Sequence, residues 1–318
     1  MKPLVRALVI GVASVLLSGC FVGNPTSSQR LVARQVPAVA PDLTLDYGPD
    51  RDHLLDVYRP AGWQPTDSRP AIVFVHGGGW ASGSRGDLSP VVKAQLRRGW
   101  VVVSIDYRLS DRVDWPAPVH DVDRAIRYVR ANAGLLGVNP DIVVSSGHSA
   151  GAHLALAQGL GGDRPSFTAP DLPAELAAVS GRPSAIVGMS GPVDLSLWVE
   201  QDWEGGSHVM NLLLGCDNSL WDVLSCSLSQ LESASVVDLL DPSDPPVFIS
   251  HGVADEVVNP VQAFTLYSRA AELGMTDRVW LDLVDTGRTD QRGHFTDFAM
   301  NRGSLEQFLD LSALGRLG

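Results

Sequence analysis

Between Asp141 and Gln158 the chain passes from the β-prone run Ile142 to Ser146, through Gly147-His148-Ser149-Ala150-Gly151, into the helix-forming stretch His153 to Gln158. This is G-x-S-x-G set between a strand and a helix. A serine at such a junction is forced into a sharp, strained turn, and glycine on both sides keeps the neighbouring backbones from clashing. The turn lifts the hydroxyl above the sheet and leaves a helix N-terminus beneath it, where developing negative charge is stabilised. Ser149 is therefore a candidate nucleophile, and its setting predicts a parallel sheet with crossover helices.

The rest of the chain has the alternation this requires. Ala71 to Val75, Val101 to Ile105, Ile142 to Ser146, Ala185 to Met189 and Val247 to Ser250 are nearly continuous apolar runs, as strands covered on both faces should be. Leu43 to Tyr47 and His53 to Tyr58 flank the turn-prone Gly48-Pro49-Asp50 and read as an opening antiparallel hairpin, and Arg278 to Val284 as the final strand. Apolar spacing of three and four residues predicts helices over Val119 to Ala131 and Pro260 to Leu273, with a closing helix over Ser304 to Leu311. The stretch from about 195 to 237 breaks this rhythm and reads as an insertion over the carboxyl ends of the strands, where open α/β sheets place their ligands. Its Trp198, Trp203, Trp221 and the run Leu212 to Leu214 fit either an apolar acyl pocket or lid, or the insertion's own core.

Composition bounds the function classes. A chain of 318 residues with 45% apolar and 19% charged content can bury a large core. Acidic residues outnumber Lys plus Arg by 36 to 24, so the surface potential repels phosphate backbones and argues against a nucleic-acid partner.

At the N-terminus, Lys2 and Arg6 precede the apolar run Ala7 to Leu17, which ends in Ser18 and Gly19. Residues 1–19 thus read as a signal peptide, too short in its apolar core for a spanning helix, which needs about 20 residues. Leu17-Ser18-Gly19-Cys20 resembles the bacterial lipobox. That resemblance implies cleavage before Cys20, a diacylglyceryl group on its sulfur, and a domain held outside the cytoplasm at the bacterial cell membrane. Residues 20–41 would be the lipidated Cys and a flexible tether, with the folded domain over 42–318. In an oxidising compartment the remaining cysteines, Cys216 and Cys226, are expected to close a disulfide loop, worth about 3 kcal/mol by loop entropy. No further Cys or His cluster accompanies them, so no metal and no cofactor are expected.

A second chemical signal stands upstream, where Ala71 to Val75 ends in His76-Gly77-Gly78-Gly79-Trp80. Glycines leave backbone N–H groups unscreened, and donors aimed at a tetrahedral oxyanion are the largest single term in acyl transfer. A phosphate cradle is disfavoured because no G-K-[ST] follows.

A serine nucleophile in this setting is followed along the chain by an acid and then a histidine. Of the later histidines, His153 lies one helical turn past Ser149 and reads as a packed helix residue. His251 ends a strand before Gly252 and should hydrogen-bond within that turn, and His208 lies in the insertion. His294 remains, in the loop after the last strand, as the base. Asp255, after the preceding strand, is the candidate acid. Asp282, Asp285, Asp290 and Asp297, on or after the last strand, read as surface charges.

Together, His76 to Trp80, Gly147 to Gly151, the Asp255 loop and His294 resemble the hormone-sensitive-lipase-like esterases and carboxylesterases of the α/β-hydrolase superfamily, over roughly residues 45 to 312. The resemblance implies an α/β-hydrolase fold, a mostly parallel eight-stranded sheet flanked by helices with a cap insertion. It implies Gly78, Gly79 and Ala150 as oxyanion donors, and a loop-holding role for Asp106-Tyr107-Arg108-Leu109 and for Pro116-Ala117-Pro118 with Asp121. The run Gly147 to Leu154 is also similar to the kynurenine formamidases. The expected activity is ester hydrolysis of a small-molecule or lipid substrate. An arylformamidase-type amide hydrolase, a peptidase and a non-catalytic surface lipoprotein on the same fold are the alternatives. Acyl length and oligomeric state are not written in these residues.

Overall fold

The computed structural model describes residues 40–198, 206–219, 223–285, 287, 291–296 and 300–317. Cys20 and the rest of the expected signal and tether up to residue 39, together with Trp203, Trp221, Asp290, Asp297 and the side chain of Trp198, lie outside the described residues. Among the described residues no helix is long and apolar enough to cross a membrane.

Eight strands form one sheet: β1 (Leu43–Asp46), β2 (Leu54–Tyr58), β3 (Arg69–Val75), β4 (Val101–Ile105), β5 (Val138–His148), β6 (Ala185–Met189), β7 (Val247–Gly252) and β8 (Val279–Val284). Their spatial order is β1-β2-β4-β3-β5-β6-β7-β8. The expected hairpin forms, with Leu43 opposite Val57, and β2 also runs antiparallel to β4. All other neighbours are parallel. The principal helices are α1 (Ala117–Ala131), α2 (Ala150–Gly161), α3 (Gly206–Leu214), α4 (Leu228–Ala234), α5 (Val261–Glu272) and α6 (Arg302–Ala313).

The apolar runs are continuous because the sheet is covered twice. Val73, Val75, Val101, Val103 and Ile105 point to a core shared with Val122, Ile126 and Val129 of α1, Leu154 of α2 and Leu266 of α5. The alternate residues Ile72, Phe74, Val102 and Phe248 meet Trp100 and, on α6, Leu305, Phe308 and Leu309. A period-two backbone thus needs apolar side chains at every position. Where the loops return to the sheet, Asp121 of α1 is fully buried and accepts from His53 Nε2 at 2.9 Å and from the Arg108 backbone N at 2.8 Å and Nη2 at 2.6 Å.

The insertion lies between β6 and β7 and carries α3 and α4. Cys216 and Cys226 are joined in a disulfide, with their Cα atoms 5.4 Å apart. The loop it closes is held from α3, where the buried Asn211 donates to Val223 O at 2.7 Å and accepts from Ser225 N at 3.0 Å. The Leu212 to Leu214 run serves the core rather than a pocket: Leu213 is fully buried in the main cluster, and its carbonyl accepts from Trp115 N at 2.7 Å. A capping box, Ser227 with Gln230, starts α4.

His153 ties three parts of the molecule together. It is fully buried on α2, accepts from Trp80 Nε1 at 3.3 Å through Nδ1, and donates through Nε2 to Ala234 O at 2.7 Å, at the end of α4. Burial pushes its pKa down to about 4, only partly countered by the Ala234 carbonyl. A protonated Nδ1 would also face the Trp80 N–H, donor against donor. Since the folded pKa lies below the unfolded value, the unfolded chain takes up the proton first as pH falls from about 6.5 to about 4, and the native state loses stability over that window. Other groups titrate there, so the comparison is with His153→Gln. Urea unfolding is expected to show the wild type losing about 3 kcal/mol relative to that variant between pH 6.5 and pH 4, and a constant difference would refute the role.

Candidate active site

Ser149 sits between β5 and α2 at φ 55° and ψ −124°, a backbone region that costs about 1–3 kcal/mol for a residue with a side chain. The surroundings leave no alternative. A Cβ on Gly147 would stand 2.2 Å from Gly151 O, and one on Gly151 would stand 2.1 Å from Val75 O. Strand β3, strand β5 and the first turn of α2 are therefore in backbone contact, with the serine at the corner. Its N–H is held by Met189 O at 2.8 Å, and Ala150 opens the helix, where N–H groups have no intrahelical acceptor.

The glycine loop after β3 comes over the same point. Gly78 and Gly79 take φ values of 113° and 58°, and a Cβ on Gly78 would lie 2.2 Å from Ser82 O. Beneath them His76 stacks on Tyr107 with ring centroids 4.4 Å apart, and Trp80 is fully buried. The N–H groups of Gly78, Gly79 and Ala150 make no hydrogen bond to another described residue.

Asp255 follows β7 and is buried. Its Oδ1 accepts from Val257 N and Val258 N, each at 2.9 Å, and its Oδ2 accepts from His294 Nδ1 at 2.8 Å. Burial alone would raise the pKa of this carboxyl, but hydrogen bonds from His251 and His294 outweigh it and hold the group well below the usual carboxylate range. The His294 loop is itself pinned. His148 Nε2 donates to His294 O at 3.0 Å, the His148 ring stacks on Phe295 at 5.3 Å, and Gly252 comes so close that a Cβ there would lie 2.1 Å from Gly293 O.

Of the described rival residues, His208, Asp282 and Asp285 go elsewhere. His208 pairs with Asn218 Oδ1 at 3.0 Å and Asp285 accepts from Gly287 N at 2.8 Å. Asp282 is partly buried rather than a surface charge, because it accepts from Asn301 N at 3.1 Å just before α6. His251 does bond within its turn, to Val258 O at 2.8 Å, and its Nε2 also lies 3.3 Å from Asp255 Oδ2.

Ser149 and His294 open into one cavity of about 750 Å³, walled by Gly77 to Gly79, Phe74, Leu88, Pro90, Val209, Val257 and Phe295. The wall segment 82–90 is clamped by Arg85, which pairs with Asp106 and lies 3.0 Å from Asp56 Oδ1. Among the described residues no three His, Cys, Asp or Glu side chains gather as metal ligands would. Three contributors were not singled out from sequence. His148 occupies a position that G-x-S-x-G leaves free, and Val209 has no motif around it. The four-residue spacing from His251 to Asp255 was the one available signal.

Residues 55–270 match the BD-FAE family. The chain is 30% identical over 266 residues to esterase LipC of Mycobacterium tuberculosis, covering 80% of this chain, and 30% identical over 258 residues to esterase LipQ of the same organism, covering 76%. It spans only 64% and 59% of the lengths of these relatives. Among solved structures it is similar to a thermophilic esterase of the planctomycete Thermogutta terrifontis with propionate bound, at TM-score 0.64 and 29% identity over 87% of this chain and 95% of that one. The same esterase phosphonylated by sarin is matched at TM-score 0.66 and 28% identity, over 87% of this chain and 96% of that one. The sheet order, the strained serine and the matched segment agree, and the chain belongs to the BD-FAE family of α/β hydrolases.

Proposed function

We propose that the chain is a serine hydrolase that cleaves carboxylic esters through an acyl-enzyme on Ser149. The observation that carries this is a strained serine sharing one cavity with a histidine whose other ring nitrogen is held by a buried carboxylate. Because Nδ1 of His294 is committed to Asp255, Nε2 is the nitrogen that takes the Ser149 proton. The alkoxide attacks the carbonyl carbon, and the N–H groups of Gly78, Gly79 and Ala150 receive the oxyanion. His294 returns the proton to the leaving alcohol, and Asp255 keeps the imidazole in one tautomer and stabilises its cationic form. Water then repeats the sequence on the acyl-enzyme. The names of LipC and LipQ and the propionate-bound and phosphonylated Thermogutta esterase support esters as the substrate class.

The leaving oxygen must lie beside His294 to be protonated, so the alcohol belongs on the side of Phe295 and Val257. The acyl chain then runs past the glycine loop, where Val209 stands close enough that a Cβ on Gly79 would be 3.1 Å from its Cγ1. We further propose that Cys20 carries a lipid and holds the domain outside the cytoplasm, on the strength of the apolar run and the Leu17 to Cys20 sequence.

Three outcomes are expected. Ser149→Ala should lose p-nitrophenyl ester hydrolysis by roughly 10⁴-fold or more with an unchanged melting temperature, and wild-type turnover in that variant would overturn the assignment. Val209→Ala should move the preference from acetyl and butyryl toward longer p-nitrophenyl esters, whereas an unchanged acyl profile would place Val209 outside the acyl path. An alkyne analogue of palmitate fed to bacteria expressing the full chain should label the wild type and not Cys20→Ser; equal labelling would dismiss the anchor.

A further inference from the structure

The acid that holds His294 is itself held by a second histidine. His251 is the penultimate residue of β7, is fully buried, and places Nε2 near two acceptors, Val258 O at 2.8 Å and Asp255 Oδ2 at 3.3 Å. A carbonyl accepts only, so Nε2 must carry the proton, and the same N–H is shared with the carboxylate. Its Nδ1 is buried without a hydrogen-bond partner among the described residues, which suits the neutral, unprotonated nitrogen of that tautomer and would penalise a proton there. Asp255 therefore accepts three hydrogen bonds, from the N–H groups of Val257 and Val258 on one oxygen and from His294 on the other, and the second imidazole stands 3.3 Å from that same Oδ2.

We propose that His251 is a positioning residue that sets the basicity of His294 by sharing the Oδ2 atom of Asp255. This rests on the catalytic assignment above and extends it. Oδ2 is the oxygen that attracts the proton on His294 Nδ1. A donor placed on that oxygen draws charge away from the Asp255–His294 pair, so the imidazolium of His294 is less stabilised than a carboxylate serving one histidine would make it. The other polar neighbours do not substitute for this. His148 meets His294 at its backbone carbonyl, Glu256 is exposed, and the two backbone donors sit on Oδ1. The second contact of His251, to Val258 O, fixes the turn on which Asp255 rides, so the carboxylate cannot follow His294 if that loop shifts.

Removing the N–H should make His294 a stronger base. Since kcat/KM requires neutral His294, the acidic limb of its pH profile should move to higher pH. For His251→Leu we expect a shift of roughly 0.5–1 pH unit and a fall in kcat of roughly tenfold. His251→Gln keeps a side-chain N–H and should recover most of both. A merely structural role would lower activity without moving the limb. Titration of the histidine ring ¹⁵N resonances in the unliganded full chain reads the same shift on His294 without any substrate, so a wrong assignment of the reaction and a wrong assignment of His251 are told apart. An acidic limb and a His294 titration unmoved in folded His251→Leu would overturn the proposal. So would a wild-type spectrum with His251 protonated on Nδ1, which needs no variant.

Discussion

Everything at this site follows from three backbones meeting where none can carry a side chain. β3, β5 and the first turn of α2 approach until only glycine fits at positions 147 and 151, and the residue between them has to take a left-handed φ. The strain in Ser149 is local, but it is stored across two covered sheet faces whose packing is far larger in energy than the one to three kilocalories such a conformation costs. Ser149 is rigid because the core is. The glycine loop ends β3 and so inherits the same frame, which brings backbone donors and hydroxyl to one point without help from flexible side chains.

The electrostatics work in the opposite sense to the packing. Burying Asp255 penalises its charge, and two histidines on one side outweigh the penalty, with the N–H groups of Val257 and Val258 on the other oxygen. Neutral donors in fixed positions keep the carboxylate ionised while leaving the positive charge to appear on His294 only when the proton moves. An arginine in their place would hold the carboxylate ionised just as well and would oppose the imidazolium.

Most of the fold was legible in the sequence because burial on both faces writes strands as unbroken apolar runs. All eight strands lie at the expected places, within a few residues at most ends, and β5 extends back to Val138 from the expected start at Ile142. The serine and the acid could be picked out because each follows a strand closely and has glycine beside it, and the histidine because Gly293 precedes it in the loop after the last strand. What was not legible depends on contacts between distant segments. Whether Leu212 to Leu214 lines a pocket or fills a core turns on Trp115, about a hundred residues away. Asp282 reads as a surface charge because its partner, the Asn301 N–H, lies nineteen residues on, at the cap of the following helix. His148, Val209 and the shared oxygen of Asp255 are spatial facts with no local pattern.

The disulfide-closed segment has a consequence for how this protein can change over generations. The groups that would carry out the chemistry stand on turns and loops packed against the strand ends, where almost any replacement disturbs the sheet. Val209 instead comes from an inserted stretch with its own covalent closure at Cys216–Cys226 and its own polar centre in Asn211. At cavity-facing positions such as Val209, away from Leu213 and the Ala234 carbonyl that tie the stretch to the core, mutations can accumulate without being felt in the strands. The scaffold and the shape of what its cavity accepts are thus exposed to selection separately, and closely related chains could differ sharply in preference while sharing one strand framework.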